Sequence, residues 1–537
     1  MSYAQPRRRF VQMLLLHTFL IGLFACSPLA TPTMTVAPTV ESPTEVPPTV
    51  EITPTTALTP TTAATPTTEG TAIPSELSIT PIDIPAGYDY PGDRSLLQTW
   101  ADEWQIEKIT EHAWHMWAGM TADSGETWNG TMLPYWETWC GNEEVFSGKC
   151  NEEKGRAPAH QFIGAAQLNH GDNSADADAQ IVTFNKFNPA MAEFLSKKHK
   201  GPGDVEYDYT SQKSLIALNN AWPTDTPIKD RKIVDTPYTP TVGTVQGSAA
   251  IETKPVIFVV KATGLTPLPL WQGLSGSVTP NSAGPSSWTT CILIDPENSA
   301  GPDTIPVPAS AEQIKKINQN SNLSCDPAKY LYAPLQVVWG FQMDADEAAA
   351  WNNVVKASAD GAQVIQAEDK DWAVLVGMHV NSKEIVNWTW QTFWWQPGGD
   401  TPDNYPGSKK GMTDDVKGSW RNYAMCTAWN QTQGNASKEI HVCFNPYLET
   451  SVTIPSGQNS NCMSCHGMAS VGLGTPNCVV NQNNPPIENL ASIPYPANYD
   501  APEQFGAPGF TTTDFSWAIP VDSNSESCVL PTATPTK

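Results

Sequence analysis

The chain has 537 residues, of which 40% are hydrophobic, so it is long enough for two or three domains with a sizeable core. Lys and Arg number 30 against 55 Asp and Glu, which gives a formal net charge of −25. Nucleic acid and anionic lipid surfaces are polyanions, and this acidity argues against both as electrostatic partners. The charge would suit a basic protein partner, although acidity kept for solubility is the simpler explanation.

The first residues have the pattern of an export signal. Arginines at 7–9 precede an apolar run at 13–24, which is too short to span a membrane. The run ends in LFAC, which resembles the lipobox of bacterial lipoproteins, where the cysteine, here Cys26, becomes the first mature residue and carries the lipid. We therefore predict a signal peptide at 1–25 and an extracytoplasmic, lipid-anchored protein in the periplasm or on the cell surface. An ordinary secretory signal is the alternative.

Composition divides the rest of the chain. Residues 26–84 are rich in Thr and Pro, cannot bury a core and are predicted to form a disordered tether, and 531–537 resemble a short tail of the same kind. Between them we predict a large domain at 85–445 and a C-terminal segment at 446–530. Stretches rich in Pro, Gly and Asn make both of them loop-rich.

The predicted elements follow in chain order. Apolar residues at three- and four-residue steps predict a helix over 95–121. Apolar runs predict strands at 254–261, 335–341 and 372–380, and Asp344 before EAAAWNNVV predicts a capped helix start. Helices and strands of this kind favour an α+β fold.

The cysteines predict a disulfide-stapled domain. Of eleven, Cys26 is assigned to the lipid, and Cys462 and Cys465 belong to the motif described next. The remaining eight are an even number, which in an exported chain favours four disulfides over free thiols. Sequence alone leaves the pairing open; the simplest assignment joins neighbours, namely Cys140–Cys150, Cys291–Cys325, Cys426–Cys443 and Cys478–Cys528.

The motif that carries chemistry is CMSCH at 462–466. On a helical turn, cysteines three residues apart point to one side, so two thiols reach the two vinyl groups of one porphyrin and the next histidine reaches the iron. The motif predicts one covalent haem c on Cys462 and Cys465, with His466 as the proximal iron ligand. A zinc site would need two further ligands, a thioredoxin-like dithiol has no need of the histidine, and a structural disulfide at this spacing is strained.

The distal iron ligand has few candidates. Class I cytochromes c place an axial Met well after the motif, but no Met or His follows Met468 in this chain. The segment is therefore predicted to pack on the upstream domain and not to form a free-standing class I module. His379 is the candidate distal ligand, because it interrupts an apolar strand beside Gly377, which would leave room for a flat ring. A structural histidine is the alternative reading.

Four tryptophans lie close together in the sequence, shortly after the strand predicted at 372–380. These are Trp388, Trp390, Trp394 and Trp395. They predict ordinary core packing, a wall against the haem or a platform on which glycans stack.

Several stretches across most of residues 136–470 resemble a group of large, single-haem bacterial cytochrome c family proteins. They are LPYWETWCGNEEVF, ETKPVIFVVKATG, VGMHVNSKEIVNWTWQTFWW, GSWRNYAMCTAW, NPYLET and NSNCMSCHGMAS. The resemblance implies covalent haem binding outside the cytoplasm and no particular substrate. In that group a histidine placed like His379 commonly ends the matching strand. The chain differs at TFWW, where the group more often has an acid–His pair, so no role is transferred from that pair.

Three functions remain open from the sequence. The first is electron transfer by a lipid-anchored monohaem protein to or from an exported, possibly basic, redox partner. The second is a haem enzyme of peroxidase or dehydrogenase type with an open axial site, suggested by the missing downstream Met and the large domain. The third is a Trp-rich surface binding lipoprotein in which the haem is structural.

Overall fold

The computed structural model describes residues 79–85, 88, 93–128, 130–150, 157–164, 182–209, 211–223, 225–226, 230–231, 249–273, 284–318, 323–358, 365–401, 407–437, 439–450, 461–466, 469–475, 478–481 and 511–512. All of these residues belong to one compact unit, 73–537. None of their helices is both long enough and apolar enough to cross a membrane.

Helices and strands are interspersed along the chain. The helices are α1 (Arg94–Glu103), α2 (Ile106–Thr121), α3 (Asn142–Phe146), α4 (Pro189–Ser196), α5 (Gln212–Ala221), α6 (Ala311–Ile314), α7 (Ala345–Ser358), α8 (Pro446–Glu449) and α9 (Cys462–His466). The strands are β1 (Asp123–Trp128), β2 (Thr131–Pro134), β3 (Cys140–Gly141), β4 (Ile163–Gly164), β5 (Val182–Thr183), β6 (Lys186–Phe187), β7 (His199–Lys200), β8 (Glu206–Tyr207), β9 (Ile251–Val260), β10 (Thr266–Pro269), β11 (Cys291–Asp295), β12 (Val307–Pro308), β13 (Tyr330–Pro334), β14 (Gly340–Gln342), β15 (Trp372–Ser382), β16 (Thr389–Trp395), β17 (Tyr423–Thr427), β18 (Ser470–Thr475), β19 (Cys478–Asn481) and β20 (Thr511–Thr512).

The largest sheet has nine strands, and its main path runs β17-β16-β15-β9-β5-β4. Strand β14 is added to β15, and β6 joins β9 to β3. Its strand pairs are antiparallel. A four-stranded sheet, in the order β10-β11-β13-β12, contains the parallel pair of β11 with β13. The remaining strands form the pairs β1-β2 and β7-β8 and the sheet β19-β18-β20.

Strands β15 and β16 are covered on both faces because they carry apolar residues on both. On one face, the ring of Phe393 in β16 stacks on Trp117 of α2, with ring centroids 4.0 Å apart. On the other face, Thr392 Oγ1 accepts a hydrogen bond of 2.8 Å from the side chain of Asn445, the residue that caps α8. The sheet therefore lies between α2 and the C-terminal segment that includes α8.

The helix predicted over 95–121 consists of two helices. The Asp93 carboxylate caps α1 by accepting N–H groups of its first turn. The helix ends at Trp104, whose φ of 55° lies in the left-handed region. That conformation costs a non-glycine residue about 1–2 kcal/mol, so packing has to hold it. The Trp104 ring packs on His441, with centroids 4.4 Å apart, a contact that helical periodicity cannot predict.

Two predicted strands, β9 and β15, and the helix capped by Asp344 are confirmed. The strand predicted at 335–341 is wrong in its first part, since Leu335–Val337 is a 3-10 helix and pairing with β15 begins only at β14. The reason is tertiary, because the Val337 carbonyl accepts the indole N–H of Trp395 at 3.0 Å and cannot serve a neighbouring strand.

The predicted α+β fold and its disulfide staples are confirmed. Three of the predicted neighbour pairs are present, Cys140–Cys150, Cys291–Cys325 and Cys426–Cys443. The fourth, Cys478–Cys528, reaches outside the described residues. Disulfides persist in oxidising compartments, so the bonds indicate an extracytoplasmic environment.

The last residues of the predicted tether, 79–84, pack against the folded unit. Ile79 and Ile84 are only 2% and 7% exposed. The carbonyl of Ile82 accepts the indole N–H of Trp139 at 2.8 Å, and its N–H donates to Thr138 Oγ1 at 3.1 Å. This segment differs from the Thr/Pro repeat before it because its isoleucines provide apolar surface that the folded unit buries.

Gly377 on β15 packs too closely against a neighbouring side chain to accept a Cβ without a shift. A Cβ at this position would lie 2.9 Å from the side-chain amide of Asn445, which also donates to the Phe393 carbonyl. We expect Gly377→Ala to lower the free energy of unfolding by about 1–3 kcal/mol, measured by chemical denaturation, because the amide must move. Gly399→Ala is the control, since a Cβ there meets nothing within 4 Å. Equal denaturation midpoints for the two variants would contradict the role given to Gly377.

Candidate functional site

Helix α9, which carries the CMSCH motif, is fixed at its start by Asn461. The side-chain oxygen of Asn461 accepts the N–H of Met463 at 2.9 Å and so caps the helix. Its side-chain amide donates to the carbonyls of Asn430 and His441, at 3.2 and 2.7 Å. Asn461 is fully buried. One side chain therefore both starts the helix and ties it to the segment 430–441.

The backbone of α9 places the Cys and His positions of the motif on one face of the helix. In a helical backbone, positions 462, 465 and 466 lie on neighbouring parts of one face. Cys462 and His466 are partly exposed, whereas Met463 is 1% exposed and packs into the core. Two thioether bonds and one axial histidine require this arrangement, so the residues present fit a c-type haem.

The imidazole of His466 packs on the sheet through Trp390. The two ring centroids lie 4.4 Å apart with the planes tilted by 45°. Trp390 is 1% exposed, and its indole N–H donates to the Asn387 carbonyl at 2.8 Å, so its ring is held in place. Trp388 lies next to it, 6.2 Å between centroids, and has a φ of 65°. These two rings form a rigid wall on the motif side of the sheet.

His379 lies on the same face of the sheet as Trp390, because it pairs with Thr392, two residues further along β16. Its Nε2 is buried and 2.9 Å from Oε1 of Glu449, the last residue of α8. The distance is that of an ion pair, but the orientation is not that of a hydrogen bond. The prediction that Gly377 leaves room for a flat ring is wrong, because the side-chain amide of Asn445 fills that space.

Lys254 of β9 lies opposite His379. Burial lowers the pKa of Lys254 to about 8, although the charges of Glu252 and Glu449 act to raise it. At neutral pH this lysine is protonated. The surroundings of His379 thus contain an ammonium group and two carboxylates.

His441 is the histidine that the motif contacts through the backbone, and sequence reasoning did not single it out. Its Nε2 lies 2.7 Å from the carbonyl of Thr427, which can only accept, so Nε2 carries the proton. Burial lowers the pKa of His441 to about 4, so the ring is neutral at physiological pH. The sequence feature that could have pointed to His441 is the nearby Cys443, because its disulfide to Cys426 anchors the segment around His441 to β17.

A second group of titratable side chains, the buried ion cluster, consists of Glu137, His160, Lys186 and Glu347. Lys186 Nζ donates to Glu137 Oε2 at 2.8 Å. The two nitrogens of His160 lie 2.9 Å from Glu137 Oε2 and 2.6 Å from Glu347 Oε1. Phe341 stacks on the imidazole with centroids 3.7 Å apart. The only sequence signal was a lysine between two buried phenylalanines, so the cluster was missed.

Mutual charge sets the protonation of the buried ion cluster. Burial acts to raise the pKa of Glu137. The charges and hydrogen bonds of Lys186 and His160 outweigh that effect, so the pKa is lowered overall. Burial acts to lower the pKa of His160, but its carboxylate partners outweigh that effect and raise it. Opposite charges in the cluster thus stabilise one another, which is the condition under which such groups tolerate burial.

Core packing, the favoured interpretation of the tryptophans of the 388–395 segment, is confirmed, and the alternative of a glycan platform is not. All four are at most 1% exposed, as is typical of core packing. Among the described residues, no three His, Cys, Asp or Glu side chains group as a metal site. The predicted lipid-bearing Cys26 lies outside the described residues.

Comparison with known proteins finds no matching family model, no similar curated protein and no similar solved structure.

The buried ion cluster predicts a stability optimum in mildly acidic solution. The contribution of Glu137, whose pKa is lowered from 4.5, is lost as the pH falls through its folded-state pKa. The pKa of His160 is raised from 6.5, so its contribution to stability is complete below pH 6.5. That contribution is lost as the pH rises through the folded-state pKa. We expect the free energy of unfolding, measured by denaturation at several pH values, to decline on both sides.

His160→Gln should flatten the alkaline decline, and His115→Gln, a histidine of α2 outside the cluster, should leave it intact. An alkaline decline of the same slope in both variants would contradict the assignment to His160.

Asn461 predicts how α9 depends on its cap. Asn461→Ala removes three hydrogen bonds, each worth about 1 kcal/mol, so we expect faster amide hydrogen exchange at Met463 and a loss of about 1–3 kcal/mol in stability. Asn461→Asp keeps the capping oxygen but places a buried carboxylate against the carbonyls of Asn430 and His441, so it should be no more stable than Ala. Unchanged exchange in the Ala variant would rule out the capping role.

Proposed function

We propose that the chain is an exported, lipid-anchored c-type cytochrome with one covalent haem, attached through Cys462 and Cys465 and ligated by His466. The observation that carries this proposal is the CMSCH motif in one helical turn, with Cys462 and His466 partly exposed. When bound, the haem supplies a one-electron iron couple, and electron transfer is the function we favour.

The chain's own residues would hold and orient the group. Asn461 fixes the start of α9, and Trp390 packs on the imidazole of His466 and limits its rotation. Orientation of an axial histidine and exclusion of water by apolar rings are two means by which a protein adjusts the potential of haem iron. The wall of Trp388 and Trp390 supports both roles.

The location and partner form part of the same proposal. Cys26 would carry the lipid and residues after it would tether the folded unit to the membrane, in agreement with the oxidising environment that the disulfides indicate. With a net charge of −25, the protein would attract a basic exported redox partner.

One contact favours a second candidate function. His379 lies on the motif side of the sheet, but its Nε2 faces Glu449 at 2.9 Å. If that contact persists, the iron would lack this distal ligand. An open axial position would suit a haem enzyme of peroxidase or dehydrogenase type.

Haem attachment can be tested directly. Protein produced with a c-type maturation system should give a pyridine haemochrome spectrum of two thioether bonds, and the haem should stay on the chain in a denaturing gel. Cys462→Ala and Cys465→Ala should each shift the spectrum toward that of a single thioether bond. Ser464→Ala changes a position at which the C-x-x-C-H motif allows any residue, and it should match wild type. Haem absent from the wild-type chain would reject the proposal.

The distal ligand separates the two candidate functions. If His379 binds iron, the ferric spectrum is low-spin, and His379→Ala makes it high-spin. Glu449→Gln is the matched control, because it removes the charge that competes for Nε2 while leaving the histidine. A wild-type spectrum that is high-spin, and unchanged in both variants, would favour the open-site enzyme and exclude His379 as ligand.

A further inference from the structure

A cavity of about 360 Å³ lies away from the motif, between the loop around Thr304, the turn at Gly398, the segment 409–412 and the 3-10 helix Gly418–Asn422. Its volume falls within the range of small-molecule sites, about 300–1,000 Å³. The walls are built by backbone in the left-handed region at Gly398 and Gly411, with φ of 87° and 79°. Glycine adopts this conformation without steric cost, so main chain lines the cavity at both positions.

Two cations line this cavity in a chain whose net charge is strongly negative. Lys409 and Arg421 are both partly exposed, and neither forms an ion pair with a carboxylate among the described residues. Lys409 Nζ donates to the Gly398 carbonyl at 3.0 Å, and Arg421 donates to the Val416 carbonyl at 3.1 Å. An ammonium has three donors and a guanidinium five, so these bonds fix the two heads without exhausting them.

Lys409 is affected by charges of both signs. Burial lowers the pKa of Lys409 to about 8; Asp400 acts to raise it and Arg421 lowers it further. One carboxylate oxygen of Asp400 accepts hydrogen bonds from the backbone N–H groups of Thr401 and Lys409, both at 2.7 Å. A bound anion would relieve the repulsion between the two cations and would favour the protonated lysine.

The other walls limit what can enter. Met412 and Ile305 give the cavity an apolar side, and Ile305 is 69% exposed. Asn422 is held by bonds to the carbonyls of Pro302 and Val337, so it shapes the wall. The carboxylate of Asp303 also lines the cavity and would disfavour a polyanion.

We propose that this cavity binds a small organic anion, with a carboxylate or phosphate group between Lys409 and Arg421 and a short apolar part against Met412 and Ile305. The fork of the guanidinium matches the oxygens of either group, and the ammonium adds a point charge. The site does not depend on the haem, so it stands or falls separately from the proposed function.

The test is isothermal titration calorimetry of the exported chain with inorganic phosphate and, separately, with butyrate. We expect saturable binding of at least one probe, and the stronger one identifies the head group. Lys409→Met and Arg421→Gln should each weaken it at least about tenfold, the usual cost of losing a charge-assisted hydrogen bond. Lys409→Arg should retain binding, which separates loss of charge from a folding defect.

Lys410→Met is the matched control, because Lys410 is the next residue and its side chain is 81% exposed outside the cavity walls. Its affinity should equal that of wild type. Wild-type affinity should also fall between pH 7 and 9, as Lys409 loses its proton around its pKa of about 8. Binding of neither probe by wild type, or equal affinity in the Lys409→Met, Arg421→Gln and Lys410→Met variants, would overturn the proposal.

Discussion

The fold depends on covering both faces of β15 and β16 at once. All seven residues of β16 are buried, and β15 is buried over almost its whole length. Leaving either face in water would cost about 25 cal/mol for each Å² of apolar surface, which is more than a domain of this size can spare. Helix α2 covers one face, and α8 and α9 cover part of the other. Helices α8 and α9 are therefore part of the main core.

Two buried asparagines make that cover specific. Helices α8 and α9 have four and five residues, too few to be stable alone. Asn445 starts the first and Asn461 the second, and each uses its remaining amide group to bind the rest of the unit. A buried amide tolerates burial only when its bonds are made, so both helices take one position. The position of His466 against Trp390 follows from this.

Local patterns in the sequence predicted the parts of this structure that depend on local physics. Apolar runs located β9 and β15, Asp344 located the start of α7, and neighbouring cysteines located three disulfides. The break at Trp104 and the Asn445 amide beside Gly377 were not predictable, because both are decided by residues far away in the chain. The candidate site divides in the same way, with the motif evident in the sequence and its fixing by Asn461 visible only in three dimensions.

Two groups would compete for Nε2 of His379, namely the carboxylate of Glu449 and the iron of the proposed haem. The carboxylate of Glu449 accepts the backbone N–H of Asn445, and its Oε1 lies 2.9 Å from Nε2 of His379. For His379 to bind iron, the carboxylate would have to give up the imidazole, a step that leaves a partly buried anion behind. Lys254, protonated at neutral pH, lies close enough for its charge to interact with Glu449 and would offset part of that cost. The choice between a closed and an open axial site is thus decided by charges on β9 and α8 as much as by the histidine itself.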